Sequence, residues 1–219
     1  ALLFNKTSMI DFEGYSIGYY AISMMVGFLV AVAVAYVVCR FYGMGAEALS
    51  SVIQGSGRHN SFLALAVISQ LLGEQGEVVG ALAVAVMVTF SNILTIVFLT
   101  MILSGQGKAK PSIIAEVLRN PFIVSIAIGL VFNFAGWRQL PVLHDFSSYL
   151  GQAALPLALI CVGAGLKFVG SAKHLVPCII ACMAKMVLLP LVVFFTARYL
   201  EISPILTISA VVFASVPTS

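Results

Sequence analysis

Charge is scarce in this chain. Asp, Glu, Lys and Arg make up 9% of the residues against 61% hydrophobic, and mean hydropathy is +1.11. Soluble domains carry about 25% charged residues, so that class is excluded and an integral membrane protein remains. Cysteine is scarce as well. Cys39, Cys161, Cys178 and Cys182 lie in or beside apolar runs, without the spacing of a disulfide framework or a zinc site. Cys178 and Cys182 stand one helical turn apart and are expected to pack as small hydrophobes. No His-Glu-x-x-His or paired-Asp arrangement occurs, and no serine has a placed base, which excludes the usual constellations of an intramembrane hydrolase. No cofactor and no metal are called for. The 11 Lys and Arg sit in short clusters between apolar runs. The pI of 8.7 therefore reflects membrane topology and not nucleic-acid binding.

What the chain does have is apolar segments, at roughly 16–39, 48–72, 78–103, 121–137, 147–166, 175–197 and 202–219. Ala1–Phe4 reads as the last turn of a further span, and 202–219 as an incomplete one, so a fragment truncated at both ends is expected. The loops set orientation. One set carries Arg40, Lys108, Lys110, Arg119, Lys167 and Lys173, and the alternate set Lys6, Arg138 and Arg198. By the positive-inside rule the first set is cytoplasmic. Segment 48–72 then runs outward and segment 202–219 inward.

Segment 48–72 is interrupted by Gln54-Gly55-Ser56-Gly57-Arg58-His59-Asn60-Ser61. The apolar run after it, Phe62–Leu72, amounts to roughly 16 Å of helix, half of a hydrocarbon core of about 30 Å. Irregular backbone at that depth survives only where protein or a water-filled cavity surrounds it. The last segment has a matching design: Ile205–Val216 is apolar and Pro217-Thr218-Ser219 interrupts it. Two interrupted helices of opposite direction, in matching places of two halves, mark an inverted-repeat secondary transporter. The fold expected is an all-α membrane protein of 5+5 inverted repeats with broken crossover helices, truncated at both ends. Residues 1–105 would be the remainder of the first repeat, 106–120 a cytoplasmic linker, and 121–219 most of the second repeat. The substrate site is expected where the breaks meet.

The ordered set Gly57-Arg58-His59-Asn60-Ser61-Phe62-Leu63-Ala64-Leu65, Asn120-Pro121-Phe122-Ile123, Leu150-Gly151-Gln152-Ala153-Ala154-Leu155-Pro156, Gly163-Ala164-Gly165-Leu166, Lys185 with Leu189-Pro190-Leu191, and Pro217-Thr218-Ser219 resembles the auxin efflux carrier family, bacterial type. The resemblance implies ten spans, of which this chain runs from the end of span two into span nine. It also implies a crossover of spans four and nine, and a moving domain (spans three to five and eight to ten) against a scaffold (spans one, two, six and seven). A small organic anion such as a carboxylate is the implied substrate, with efflux across a bacterial inner membrane and a homodimer as expectations. No enzyme activity is implied.

Arg58, Asn60, Ser61, Pro217, Thr218 and Ser219 are the candidate substrate-binding residues. Asn60 or Ser61 either caps the half-helix after it or leaves its N–H groups to an anion, since a helix N-terminus favours negative charge. Arg58 adds a permanent charge with a fork suited to carboxylate, or else snorkels to the cytoplasmic face. His59 and Lys185 are candidate coupling residues: the first titrates near physiological pH, and the second is a charge deep within a span. Gly55 and Gly57 allow close helix approach. Asn92, Asn133 and Gln152 are read as interhelical hydrogen-bonding residues, and Pro156 and Pro190 as kinks. Two rival classes are a seven-span receptor and a sodium- or proton-coupled carrier of another substrate on the same architecture. Intramembrane carboxylates in this stretch are too few for a sodium cage.

Overall fold

The computed structural model describes residues 2–8, 17–103, 121–137, 140–165 and 175–218. Among them every regular element is helical: α1 (Leu2–Ser8), α2 (Ile17–Phe41), α3 (Ala46–Gly57), α4 (Ser61–Leu103), α5 (Pro121–Phe134), α6 (Pro141–Gly165), α7 (Leu175–Met183), a π turn (Ala184–Leu188), α8 (Leu189–Tyr199) and α9 (Pro204–Ser215). Ile17–Phe41, Gln75–Thr95, Pro141–Gly165 and Leu175–Tyr199 are long and apolar enough to cross a membrane, and α9 is a shorter apolar helix. The protein is an all-α membrane protein. The linker 106–120, Ser219 and the loop cations Lys108, Lys110, Arg119, Arg138, Lys167 and Lys173 lie outside the described residues.

Three local features differ from, or add to, what the sequence predicts. The helix expected from 147 starts at Pro141. The polar residues His144 and Ser147, which read as loop, are buried. The Leu140 N–H donates to His144 Nδ1 at 2.9 Å, which serves an N–H at the helix start that would otherwise lack a partner. The loop expected at 73–77 is a tight reversal at Gly73, whose φ of 60° and ψ of −143° favour glycine. Leu65 and Ile68 then fold back beside Gly80. Pro190 does not merely kink its helix. It has no N–H to offer the Met186 carbonyl and crowds that group. The chain widens here into a π turn, closed by the Leu189 N–H bonding to the Ala184 carbonyl five residues back.

The helices pack as two groups. α2, α3, α4, α7, α8 and α9 contact one another around a single apolar core built on Tyr20, Met24, Phe28, Ile53, Ile68 and Phe213. α1 packs on α5 and α6, where polar side chains do the joining. Asn133 Nδ2 donates to the Ser8 carbonyl at 2.8 Å. Asn5 Nδ2 donates to the His144 carbonyl at 2.9 Å and to Ser147 Oγ at 3.1 Å. His144 Nε2 lies 3.0 Å from Ser8 Oγ. Asn133 thus makes the interhelical bond its sequence position predicts. Gln152 does not: it is exposed and donates to Ser148 on its own helix. Among the described elements the two groups touch only through α4.

Candidate functional site at the helix breaks

α3 ends against the middle of α2. A Cβ on Gly57 would stand 2.7 Å from the Phe28 ring, so only glycine admits this approach. Arg58 then turns extended, at φ −72° and ψ 157°, and the helix restarts at Ser61. α9 reaches the same level from the other side. Its Ser209 hydroxyl is 3.1 Å from that of Tyr20, two turns before Phe28 on α2. Phe213, one turn on, packs its ring against that of His59, at 4.6 Å between centroids and tilted by 56°. Val216 then turns extended at φ −70° and ψ 139°. The break after α3 and the end of α9 meet there: the Asn60 N–H donates to the Pro217 carbonyl at 3.1 Å.

The candidate residues separate into two sets. Asn60 is 4% exposed, and its Oδ1 accepts the Leu63 N–H at 3.1 Å. It is the N-cap of the restarted helix. His59 is buried under Phe213 with Nδ1 unpartnered among the described residues. Ser61 is half-buried in the first turn, and Arg58 is exposed. None of these four lines the cavity beside the crossing, whereas Pro217, Thr218 and Lys185 do.

That cavity has a volume of about 650 Å³. One wall is α3, from Glu47 through Ser51 and Val52 to Gly55, and the other is α7, from Pro177 and Cys178 through Cys182 to Lys185. The walls touch where Gly55 meets Ala181: a Cβ on Gly55 would lie 3.1 Å from that of Ala181. Cys178 and Cys182 are exposed here. The spacing that puts them on one helix face is right, but that face borders a cavity. Lys185 is 3% exposed and sits in the π turn. A charge at bilayer depth costs about 2.5–3.5 kcal/mol on insertion scales. No hydrogen bond or ion pair to it is found among the described residues. The π turn that carries it has no periodicity signal in the sequence, although Pro190 is the residue that accounts for it. Among the described residues no group of His, Cys, Asp and Glu could hold a metal ion.

These features define a class: a multi-pass helical membrane protein in which the break between α3 and α4 meets the extended end of α9 beside a cavity. A family model described as "Membrane transport protein" matches residues 108–219, and the chain belongs to that family, the auxin efflux carriers and their relatives. It is also 30% identical over 158 residues to a protein of Rhizobium meliloti (strain 1021) named "Putative malonate transporter". The match covers 64% of this chain and 46% of the relative, so the chain spans about half the relative's length.

Proposed function

We propose that this protein is a secondary carrier of small organic anions, carboxylates in particular, working by alternating access around the crossed breaks. The observation that carries the reading is the contact between the break after α3 and the extended end of α9, Asn60 N–H to Pro217 carbonyl. Broken helices at bilayer depth are placed this way when they hold a solute between them. The malonate named for the relative supports an anionic substrate, and so does the buried cation Lys185 on the cavity. Arg58, Asn60, Ser61, Pro217, Thr218 and Ser219 belong to the proposed site or its frame, and His59 and Lys185 are the groups proposed to respond to charge movement. With the Lys/Arg-rich loops inside, the end of the cavity at Glu47 and Pro177 faces the cytoplasm, which suits a carrier loading for export from a bacterial cell. Pairing of two copies in the membrane is part of the same reading.

The test is counterflow of labelled malonate and other small carboxylates in vesicles holding the full-length protein, with and without a proton or sodium gradient. Saturable exchange is the expected outcome. Absence of exchange for every carboxylate tried, from protein shown to be folded, would sink the reading. Dependence on a gradient would identify the coupling ion.

A further inference from the structure

We propose that Lys185 is the counter-charge for the carried anion, and that the cavity it closes prefers a monocarboxylate with a small apolar body to a dicarboxylate, so that malonate is expected to be carried less well than a monocarboxylate of similar size. The proposal rests on the carrier reading above and names its substrate class. Lys185 is the one cation lining the cavity among the described residues, and the little surface it keeps is there. Arg58, the other cation near the break, is exposed and lines no part of it. Around Lys185 the walls are carbon and sulfur: Gly55, Ala181, Cys182, Met186 and the Pro217 ring, with Thr218 as the nearby hydroxyl residue.

The other formal charge on the cavity is Glu47, an anion. Gly55 faces Ala181, and Lys185 lies on the break side of that contact, within electrostatic reach of His59, while Glu47 lies in the first turn of α3 at the far end. Counting along the two helices from Lys185 to Glu47 gives roughly 18 Å of helix axis at 1.5 Å per residue. A small dicarboxylate is far shorter than that. Its second carboxylate would therefore lie beside Ser51, Val52 and the carbon and sulfur groups of α7, with no second cation lining the cavity among the described residues, and a charge taken out of water without a partner is disfavoured. A single carboxylate beside Lys185 leaves its apolar body against Ala181 and Cys182. The two charges that each cost free energy alone, the buried lysine and the desolvated carboxylate, are then paired.

The native thiols report occupancy. Cys178 and Cys182 line the cavity, while Cys161 is exposed on α6, away from it. The full-length protein in nanodiscs is alkylated at graded concentrations of butyrate or succinate, and each thiol is read by mass spectrometry. Butyrate is expected to protect Cys182 at roughly tenfold lower concentration than succinate and to leave Cys161 untouched. Lys185→Met is expected to raise the half-protecting butyrate concentration roughly ten- to a hundredfold, the range for losing a charge-assisted bond, and Lys185→Arg to restore most of it. Equal or better protection by succinate overturns the proposal without any variant, so a misfolded Lys185→Met cannot shield it. Unchanged protection in a folded Lys185→Met also overturns it, as expected if the lysine only offsets the negative C-terminal ends of α3 and α9. Vesicle flux separates the two levels. No flux of any carboxylate in wild type is a failure of the carrier reading. Flux that ignores both Lys185→Met and substrate charge is a failure of this inference alone.

Discussion

The two packed groups of helices are held by different chemistry. The larger one closes around aromatic and branched side chains, with Tyr20, Phe28 and Phe213 each at most 1% exposed. The smaller one, α1 with α5 and α6, is joined by Asn5, Ser8, Asn133, His144 and Ser147. Apolar packing is tolerant of direction but not of volume, because a deleted ring leaves a cavity. A hydrogen-bonded joint is tolerant of volume but fixes geometry, and in membranes each bond contributes little. The group that contains the crossing is thus joined by volume, and the group beside it by hydrogen bonds that hold α1 against α5 and α6.

The sharpest way to break this contrast is Phe28→Ala. It removes the ring that touches Gly57 and Phe90, and is expected to destabilise the full-length protein by about 3 kcal/mol or more, read as thermal unfolding in detergent. A loss below that of any polar variant would show that the core is not what holds the crossing. Asn60→Ala comes next. Loss of the cap on Leu63 N–H is expected to cost about 1 kcal/mol, with circular dichroism showing the helix content of α4 nearly intact; a loss as large as that of Phe28→Ala would mean that Asn60 supports more than one turn. Asn133→Ala removes the bond to the Ser8 carbonyl and is expected to cost about 0.6 kcal/mol, the mean for such bonds in a membrane bundle. If it instead unfolds the protein, the polar joint is the stronger of the two. Cys161→Ser, on an exposed position of α6, is expected to change stability by no more than about 0.5 kcal/mol and serves as the baseline.

Much of this was legible in the residues. The run 54–61 fails as a continuous apolar span, and Gly57, Arg58 and Asn60 place the interruption within a residue or two of where the backbone turns extended. The end of α9 just before Pro217 was legible for the same reason. The start of α6 was not, because His144 and Ser147 are polar, and their burial depends on α1, a partner 136 or more residues away along the chain. The face presented by Cys178 and Cys182 was hidden likewise: spacing along one helix says which residues share a face but not what stands opposite. The division of the candidate residues was the least legible part. Asn60 and Thr218 are both small polar residues at a helix break, and only the packing decides that one caps a helix while the other borders the cavity.

The bond between Asn60 and Pro217 joins backbone to backbone, so in principle it asks of position 60 only that it not be proline, the residue without an N–H. The other partner is itself a proline, with a carbonyl to offer and nothing to donate in return. Two extended strands that touch would ordinarily exchange a pair of bonds and begin to zip into a ladder. Here Pro217 has no N–H with which to answer. The joint is a pin and not a seam: one backbone bond among the described residues, which fixes a point and can be undone without unravelling a sheet.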